Sequence, residues 1–259
     1  MECFTQLIGG LGNQLFEIAT AYAHARRNGY QLQISPTTNC RRDVYWDSFY
    51  PNCIQFRCNG HIQLLPRYNE PHFHYVLIPS YARNLFGYFQ SSKYFSEYAD
   101  EIKTLFTPSC EVRDNMNAKW GHLLTEPSIV MHIRRGDYVT LPQIHGILTP
   151  SYYINAVQRM MDETGITKVL VFSDDIEWCK TIGLTETTVF VDEPDESVAL
   201  LLMSQFKHYI ISNSTFSWWA VWLGETATLV YAPDRWFGPY GPQDVEDIYE
   251  PNWVKLPIQ

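Results

Sequence analysis

Two adjacent arginines follow a short apolar run in the sequence HIRRGDY, residues 132–138. A guanidinium group keeps its charge at physiological pH and binds phosphate oxygens through paired N–H groups. Arg134 and Arg135, at the end of a predicted buried strand, therefore predict a site for a diphosphate. Asp137 is predicted either to orient one arginine or to act on a second substrate. The alternative is an ordinary surface RRGD sequence, which the apolar strand and the acidic composition disfavour.

An acidic pair follows the next predicted strand, in FSDD at residues 172–175. Ionised carboxylates accept hydrogen bonds, so Asp174 and Asp175 suit the hydroxyl groups of a ribose or the N–H groups of guanine. The alternative is that one of them caps the N-terminus of the following helix. Both interpretations hold if each residue takes one role.

Two polar turns also follow apolar segments, GGLGNQ at residues 9–14 and SNSTFSWW at residues 212–219. Glycines let backbone amides approach a ligand, and the start of a helix favours negative charge. Asn13 and Gln14 offer side-chain hydrogen bonds in the first turn, and the serines and threonine of the second suit a phosphate or a sugar. GGLGNQ matches neither the dinucleotide nor the P-loop fingerprint, so a plain tight turn is the alternative. The tryptophan pair is predicted to pack in the core.

The segments around these motifs alternate between apolar runs of strand length and amphipathic segments of helical period. This order predicts an α/β protein with parallel, doubly wound sheets, whose ligands bind beyond the carboxyl ends of the strands. One α/β unit ends and the next begins near Thr125. This predicts two Rossmann-like domains facing a cleft, residues 1–125 and 126–259. Residues 36–81 lack a clear period and are predicted to form loops with short elements. The predicted strands are residues 3–8, 31–35, 85–90, 128–133, 168–172, 189–191, 208–211 and 228–232, and the predicted helices are residues 15–27, 92–106, 150–163, 176–182, 196–206 and 216–223.

The composition disfavours several classes of protein. The 19 basic and 28 acidic residues give a net charge of −9, which argues against nucleic acid or an anionic membrane as a partner. No signal peptide and no apolar stretch of roughly 18 residues is visible, so we expect no transmembrane segment and a cytoplasmic location. Cysteines and histidines show no metal-ligand spacing, and no metal site is predicted. They are Cys3, Cys40, Cys53, Cys58, Cys110 and Cys179, and His24, His61, His72, His74, His122, His132, His145 and His208.

Six segments carry a resemblance to a known family: GGLGNQLFEIATAYA, LFGYFQSSKYF, VMHIRRGDY, VFSDDIEWCK, LLMSQFKHYIISNSTFSWWAVWLG and APDRWF. Over most of its length the chain resembles the α-1,2-fucosyltransferases of glycosyltransferase family 11. The resemblance implies a GT-B fold, GDP-fucose as the donor, inversion at the anomeric carbon, and no required metal or cofactor. The implied acceptor is a galactose-containing glycan, which receives L-fucose at O2 of the galactoside.

The resemblance also implies roles for particular residues. Arg135 grips the donor diphosphate, Arg134 assists, and the acidic pair contacts the guanosine. The first domain, residues 1–125, is the acceptor side, and the second, residues 126–259, binds the GDP-sugar. The donor-binding residues are Gly10, Asn13, His132, Arg134, Arg135, Asp174, Asp175, Asn213, Ser214, Thr215 and Ser217.

The reaction needs a base for the proton of the acceptor hydroxyl, while Arg135 stabilises the departing GDP. Asp137 is the first candidate for this base, and His145 is the second. Some related enzymes place a glutamate about ten residues after the histidine of the arginine motif. Pro142 stands there in this chain, so that role is not carried over.

Other functions stay open. A glycan-binding relative without catalysis would keep the fold, but the intact arginine, acidic and serine motifs disfavour it. A transferase for another nucleotide sugar or another linkage, such as α-1,6, is an alternative, because residues that hold GDP do not define the sugar. A kinase or GTPase is disfavoured, because the chain has no GxxxxGK[ST] loop. Acceptor choice is predicted to lie in residues 36–81.

Overall fold

The computed structural model describes residues 1–38, 42–58, 65–224 and 226–258. Cys40 and His61, which the metal-site prediction includes, lie outside these residues.

The chain forms two compact units. Unit 1 comprises Met1–Val112 and Glu246–Glu250, and unit 2 comprises Arg113–Val245 and Pro251–Gln259. The division predicted at residue 125 lies within unit 2, and the return of the chain to unit 1 was not predicted. The assignment of acceptor and donor roles to the two parts of the chain stays a prediction.

The described part of unit 1 contains β1 (Glu2–Leu7), α1 (Leu11–Asn28), β2 (Gln31–Thr38), β3 (Arg67–Asn69), β4 (Asn84–Phe86) and α2 (Ala99–Leu105). Its four strands form a parallel sheet in the order β2-β1-β4-β3. The helix α1 begins earlier than predicted, because the N–H groups of Asn13 and Gln14 already bond to the carbonyl oxygen of Gly10. It ends at Gly29, whose left-handed backbone, with a φ of 65°, closes the last turn.

Two segments of unit 1 differ from their predicted form. The predicted strand at residues 85–90 ends at Phe86, because Phe89 adopts a left-handed backbone with a φ of 51° that turns the chain. The predicted helix at residues 92–106 begins as two short 3₁₀ turns, Ser92–Tyr94 and Ser96–Tyr98, and becomes α-helical only in α2.

Unit 2 contains a parallel sheet of six strands in the described residues, with helices between them along the chain. The sheet has the order β10-β9-β8-β5-β6-β7. Helix α3 spans the division between the units and was not predicted from the sequence. The elements are α3 (Cys110–Trp120), β5 (Ile129–Ile133), α4 (Pro142–His145), α5 (Pro150–Thr164), β6 (Val169–Ser173), α6 (Ile176–Cys179), β7 (Thr188–Val191), α7 (Glu196–Met203), β8 (His208–Ile210), α8 (Thr215–Leu223), β9 (Leu229–Pro233) and β10 (Val254–Leu256).

The core of unit 2 is formed by β5, β6 and β8 and by the apolar face of α5. Met131, Val171 and Ile210 point into this core and have no solvent exposure. Trp218 and Trp219 on α8 are also fully buried, as predicted. Burial of these large side chains holds the strands in register, so that their carboxyl ends form a fixed edge. No helix within the described residues has both the length and the apolar character that a membrane crossing requires.

Candidate functional site

Three loops meet at the carboxyl edge of the unit 2 sheet, after β5, β6 and β8. β5 lies between β8 and β6 in the sheet, and Ile133 is in register with Ser173. The arginine motif and the acidic pair therefore leave the sheet side by side, although 40 residues separate Arg135 from Asp175. This edge is where parallel α/β sheets bind ligands.

Arg134 is held between two carboxylates. Its Nη1 lies 2.9 Å from Oδ2 of Asp174, and its Nη2 lies 2.6 Å from Oδ1 of Asp137. Burial would lower the pKa of Arg134, but the charges of Asp174 and Asp137 outweigh burial and raise it. Its guanidinium also lies over the ring of Tyr138, at 5.4 Å from the ring centre. Arg134 is therefore permanently charged and fixed in place.

Arg135 is held in a different way, by one carboxylate and one aromatic ring. Its Nε lies 3.1 Å from Oδ2 of Asp175, and its guanidinium carbon lies 3.8 Å from the centre of the Trp178 ring. Within the described residues, its side chain makes no other hydrogen bond or ion pair. Because Asp175 binds Nε and Trp178 covers one face, both Nη groups stay available for an anion.

Asp174 fixes the backbone of the arginine loop as well as a side chain. Its Oδ1 accepts the N–H of Arg135 at 2.8 Å. A Cβ atom at Gly136 would clash with Oδ2 of the same carboxylate, which already pairs with Arg134. The glycine of the motif is therefore required by the close approach of Asp174.

Asp175 has a second role at the start of α6. Its Oδ1 accepts the N–H of Trp178 at 3.1 Å, so it is the N-cap of this short helix. The helix-capping alternative is therefore confirmed for Asp175, and the ion pair with Arg135 uses its other oxygen. The predicted contacts of Asp174 and Asp175 with a guanosine stay predictions.

His132 supports the arginine loop from inside the sheet. Its Nδ1 lies 2.8 Å from the hydroxyl oxygen of Ser212, and only 5% of the residue is exposed. Burial, together with the charge of Arg134, lowers the pKa of His132 to about 3. The imidazole is therefore neutral at physiological pH, and its predicted contact with the donor stays a prediction.

The polar side chains after β8 form hydrogen bonds within their own loop and with the segments that contain His145 and Trp236. The amide nitrogen of Asn213 donates to the carbonyl oxygens of His145 (2.6 Å) and Trp236 (2.8 Å). Ser214 accepts the N–H of Phe216 at 3.3 Å and caps α8. The hydroxyl of Ser217 is fully buried and donates to the carbonyl oxygen of Ser214 at 3.1 Å.

Thr215, at the start of α8, is only half-buried. The donor contacts that were predicted for Thr215, Asn213, Ser214 and Ser217 stay predictions.

The two candidate bases lie on one loop. The rings of Tyr138 and His145 stack with centres 4.4 Å apart and planes 10° apart, and the hydroxyl of Tyr138 donates to the carbonyl oxygen of Asn213 at 3.1 Å. Burial raises the pKa of Tyr138 to about 12, and burial lowers the pKa of His145, with Asp137 opposing and Arg134 assisting. His145 is therefore biased toward the neutral form that accepts a proton. Asp137 is exposed and keeps its ion pair with Arg134.

A second segment, which follows the APDRWF motif, braces this loop. The N–H of Gly238 bonds to the carbonyl oxygen of Ile144 and that of Tyr240 bonds to Gln143, both at 2.8 Å. A Cβ atom at Gly238 would lie only 2.5 Å from the carbonyl oxygen of Gln143. Asn213 joins the two segments, because it binds one carbonyl group from each. Hydrogen bonds thus connect the loop that carries His145, the loop after β8 and this second segment within unit 2.

The predicted residues of unit 1 form a separate turn before α1. Gly9 requires glycine, because its φ is 76° and a Cβ atom would lie 2.5 Å from Nδ2 of Asn13. Gly10 caps α1 and has open space at its Cβ position. The Oδ1 of Asn13 accepts a hydrogen bond from Nε2 of Gln90 at 3.0 Å. Donor contacts of Gly10 and Asn13 stay predictions.

Gln14 has a structural role in this turn. It is fully buried, its Nε2 donates to the carbonyl oxygens of Gly9 (3.0 Å) and Asp43 (2.7 Å), and its Oε1 accepts the hydroxyl of Tyr50 at 2.7 Å. These bonds use both donor hydrogens of the amide. The expectation that Gln14 offers hydrogen bonds to a ligand is therefore wrong in this structure.

Sequence reasoning missed Trp178 and the steric need for Gly136. The sequence does contain a signal for Trp178. It lies three residues after Asp175, the N-cap of α6, and therefore belongs to the first turn of that helix. No group of three or more His, Cys, Asp or Glu side chains among the described residues is placed to hold a metal ion.

The fold is the GT-B fold of glycosyltransferases. The α-1,6-fucosyltransferase NodZ of Bradyrhizobium, solved after soaking with GDP-fucose, superposes with a TM-score of 0.60 at 14% identity, over 90% of this chain and 96% of that one. POFUT1 in complex with GDP superposes with a TM-score of 0.52 at 11% identity, over 89% of this chain and 98% of that one.

The chain belongs to glycosyl transferase family 11, whose model matches residues 2–257. It is 30% identical to an alpha-1,2-colitosyltransferase of Escherichia coli, over 90% of this chain and 91% of the relative. It is 28% identical to galactoside alpha-(1,2)-fucosyltransferase 2 of Oryctolagus cuniculus, over 96% of this chain and 75% of the relative. The resemblance inferred from the motifs is thus confirmed.

Proposed function

We propose that this glycosyltransferase moves L-fucose from GDP-fucose to O2 of a galactose-containing glycan, with inversion and without a metal ion. The observation that carries the proposal is the geometry of Arg135. Its Nε pairs with Asp175 and its guanidinium lies over the ring of Trp178, so both Nη groups are available for an anion. A diphosphate is the ligand that such a fixed, paired donor group binds best.

The chemistry follows from where charge develops. As the bond between the fucosyl carbon and the phosphate oxygen breaks, GDP gains negative charge and the sugar carbon becomes cationic. Arg135, assisted by Arg134, stabilises the departing oxygen in the role that a divalent cation has in other transferases. The removal of one such charged contact should cost about 3–4 kcal/mol of transition-state stabilisation, or about 10²–10³ in rate.

The acceptor hydroxyl attacks the opposite side of the sugar carbon and must lose its proton. Asp137 is the proposed base, because its carboxylate is exposed beside Arg134 at the rim of the arginine loop. His145 is the second candidate, because burial lowers its pKa and favours the neutral, proton-accepting form. Asp137→Asn and His145→Gln separate them, since only the change at the true base should abolish transfer while GDP binding persists.

The donor sugar has one specific rival. The chain is 30% identical to an enzyme named as a colitosyltransferase, and the groups at the carboxyl edge of unit 2 suit a diphosphate without regard to the sugar. Fucose is favoured by the resemblance to galactoside α-1,2-fucosyltransferases, which is similar in extent. A side-by-side assay with GDP-fucose and the GDP-linked colitose analogue decides between the two donors.

The deciding experiment is release of GDP from GDP-fucose in the presence of a chelator, with and without a lactose-type acceptor. We expect release that depends on the acceptor and resists the chelator. Arg135→Ala should abolish release, whereas Arg159→Ala should not, because Arg159 is half-exposed on α5, where it pairs with Glu163 and lies over the ring of Tyr231. Full activity in Arg135→Ala would overturn the assignment, and loss of activity that manganese restores would overturn the metal-free mechanism.

A further inference from the structure

Glu70 is a half-buried residue outside the site described above, and one of its carboxylate oxygens is fully buried. It follows β3 directly, and its Oε2 accepts the N–H groups of Tyr88 (2.8 Å) and Phe89 (3.0 Å), which follow β4. The other oxygen, Oε1, is buried and has no hydrogen-bond partner among the described residues. An unsatisfied buried oxygen lowers the stability of the fold, which indicates that this carboxylate has a structural or functional role.

The turn that Glu70 holds is under steric constraint. Phe89 has a φ of 51°, in the left-handed region that residues other than glycine rarely adopt. A Cβ atom at Gly87 would clash with Cβ of Glu70, so only glycine fits against this side chain. The turn therefore keeps its shape through Glu70 and not through its own backbone preference.

The same turn is fixed on its other side by the first turn of α1. Nε2 of Gln90 donates to Oδ1 of Asn13 at 3.0 Å, and β4 pairs with β1 in the sheet. Tyr88 lies between these two anchors, with 41% of its surface exposed. An aromatic side chain is thus presented at the carboxyl edge of the unit 1 sheet on a backbone that is fixed on both sides.

We propose that Tyr88 is a contact for the sugar acceptor and that Glu70 is the positioning residue that fixes it. The C–H faces of a pyranose pack against an aromatic ring, and the phenol hydroxyl bonds to sugar hydroxyl groups. The acidic Glu70 behind the turn disfavours an anionic diphosphate here and tolerates a neutral glycan. The inference rests on the proposed function and gives its acceptor a place in unit 1.

Tyr88→Ala tests the contact directly. We expect a rise of about tenfold in KM for a lactose-type acceptor, with an unchanged affinity for GDP, because Tyr88 is not among the predicted donor contacts. Tyr88→Phe keeps the ring but loses the hydroxyl, so its acceptor KM should lie between those of the wild type and Tyr88→Ala. Tyr81→Ala is the matched control, because Tyr81 is a 70% exposed tyrosine of the same unit. If the acceptor KM of Tyr88→Ala equals that of Tyr81→Ala, the proposal is wrong.

Glu70→Gln tests the positioning role through a pH profile. Burial raises the pKa of Glu70 to about 7. The ionisable groups that interact with it are the phenols of Tyr68 and Tyr94, and burial raises the pKa of each, so both stay neutral in this range. The ionised carboxylate holds the two N–H groups more strongly than the protonated acid, because charge-assisted hydrogen bonds are stronger.

Wild-type acceptor KM should therefore fall by about fivefold as pH rises from about 6 to about 8. Glutamine can still accept both N–H groups but does not ionise. Glu70→Gln should therefore show, at every pH, the higher acceptor KM that the wild type shows at acid pH. A variant that retains the wild-type pH dependence would show that Glu70 does not position this contact. Cooperative thermal unfolding and GDP affinity confirm that the variant is folded.

A failure of the inference is distinguishable from a failure of the proposed function. If the wild type transfers no fucose, saturation-transfer NMR with the free galactoside still reports whether the sugar binds and whether Tyr88→Ala removes that binding. Binding that Tyr88→Ala removes supports the acceptor contact without the donor assignment. Transfer that is normal in both Tyr88→Ala and Glu70→Gln overturns the inference and leaves the proposed function standing.

Discussion

The guanidinium of Arg135 stacks on the ring of Trp178, with the guanidinium carbon 3.8 Å from the ring centre. The same guanidinium gives its Nε to Asp175, which also caps the helix that carries Trp178. One short helix, α6, therefore supplies both the ring and the carboxylate that hold the arginine. The arginine is oriented before a ligand arrives, so that little conformational entropy is lost on binding.

Trp178→Leu should weaken GDP binding by about fivefold, because a cation–π contact of a partly buried arginine contributes about 1 kcal/mol. Affinity for guanosine, which has no phosphate, should not change. Trp178→Phe should restore most of the GDP affinity, since the smaller ring still offers a face. Calorimetric titration with both ligands measures the difference.

The control for this prediction is Trp120→Leu. Trp120 belongs to the same unit, but its indole N–H donates to Glu193, which is not part of the arginine loop. If both leucine variants lose the same affinity, or if guanosine binding falls with GDP binding, Trp178 does not act through Arg135.

Gly136→Ala should reduce transfer by at least tenfold while the protein stays folded. The added Cβ atom would clash with Oδ2 of Asp174, and that oxygen is held by Arg134, so relief of the clash breaks the ion pair. Gly121→Ala is the matched control, because no atom of the described chain lies within 4 Å of its Cβ position. Steady-state rates and a thermal unfolding midpoint for both variants check the prediction. Equal rates in the two variants would contradict it.

The sequence allowed the donor-side loops to be predicted because each one directly follows a strand. Arg134 follows β5 and Asp174 follows β6, and parallel strands bring their carboxyl ends to one edge whatever the length of the connection. The resemblance then supplied the order of the motifs and the family. What the strand-end rule does not supply is the partner of each side chain, and the ion pairs of both arginines with the acidic pair came only from the structure.

Gln14 and Glu70 show why other features could not be predicted. Gln14 looks like a ligand-binding residue in its turn, but Tyr50, which lies 36 residues further along, takes its Oε1. Glu70 lies in a segment without periodicity, and its contacts depend on the left-handed backbone of Phe89. Such contacts depend on the geometry of distant turns, which local propensity does not encode.

Glu70 also has a consequence for stability. Burial raises its pKa from 4.5 to about 7, so the folded protein holds a proton that the unfolded chain has already released between these pH values. The contribution to stability is therefore full below about pH 4.5 and is lost as pH rises through about 7. The difference is at most roughly 3 kcal/mol, and less where solvent screens the carboxylate.

Glu70→Gln should accordingly gain stability relative to the wild type on going from about pH 5 to about pH 8. Thermal unfolding midpoints across this range measure the gain. Glu2→Gln is the control, because Glu2 is exposed at the start of β1 and should show no such trend. A constant difference between Glu70→Gln and the wild type at all pH values would contradict the buried, titrating carboxylate.

His132 should make the protein sensitive to acid. Burial lowers the pKa of His132 from 6.5 to about 3, so the unfolded chain binds a proton between these values that the folded chain does not. The contribution of neutral His132 to the free energy of unfolding is therefore full above about pH 6.5. It is lost as pH falls toward 3, by up to about 1.4 kcal/mol for each pH unit. His132→Gln should be less stable at neutral pH, since it disturbs the contact with Ser212, but its midpoint should fall less steeply in acid. If the unfolding midpoints of the wild type and the variant fall equally steeply as pH decreases, His132 is not the group whose protonation weakens the fold.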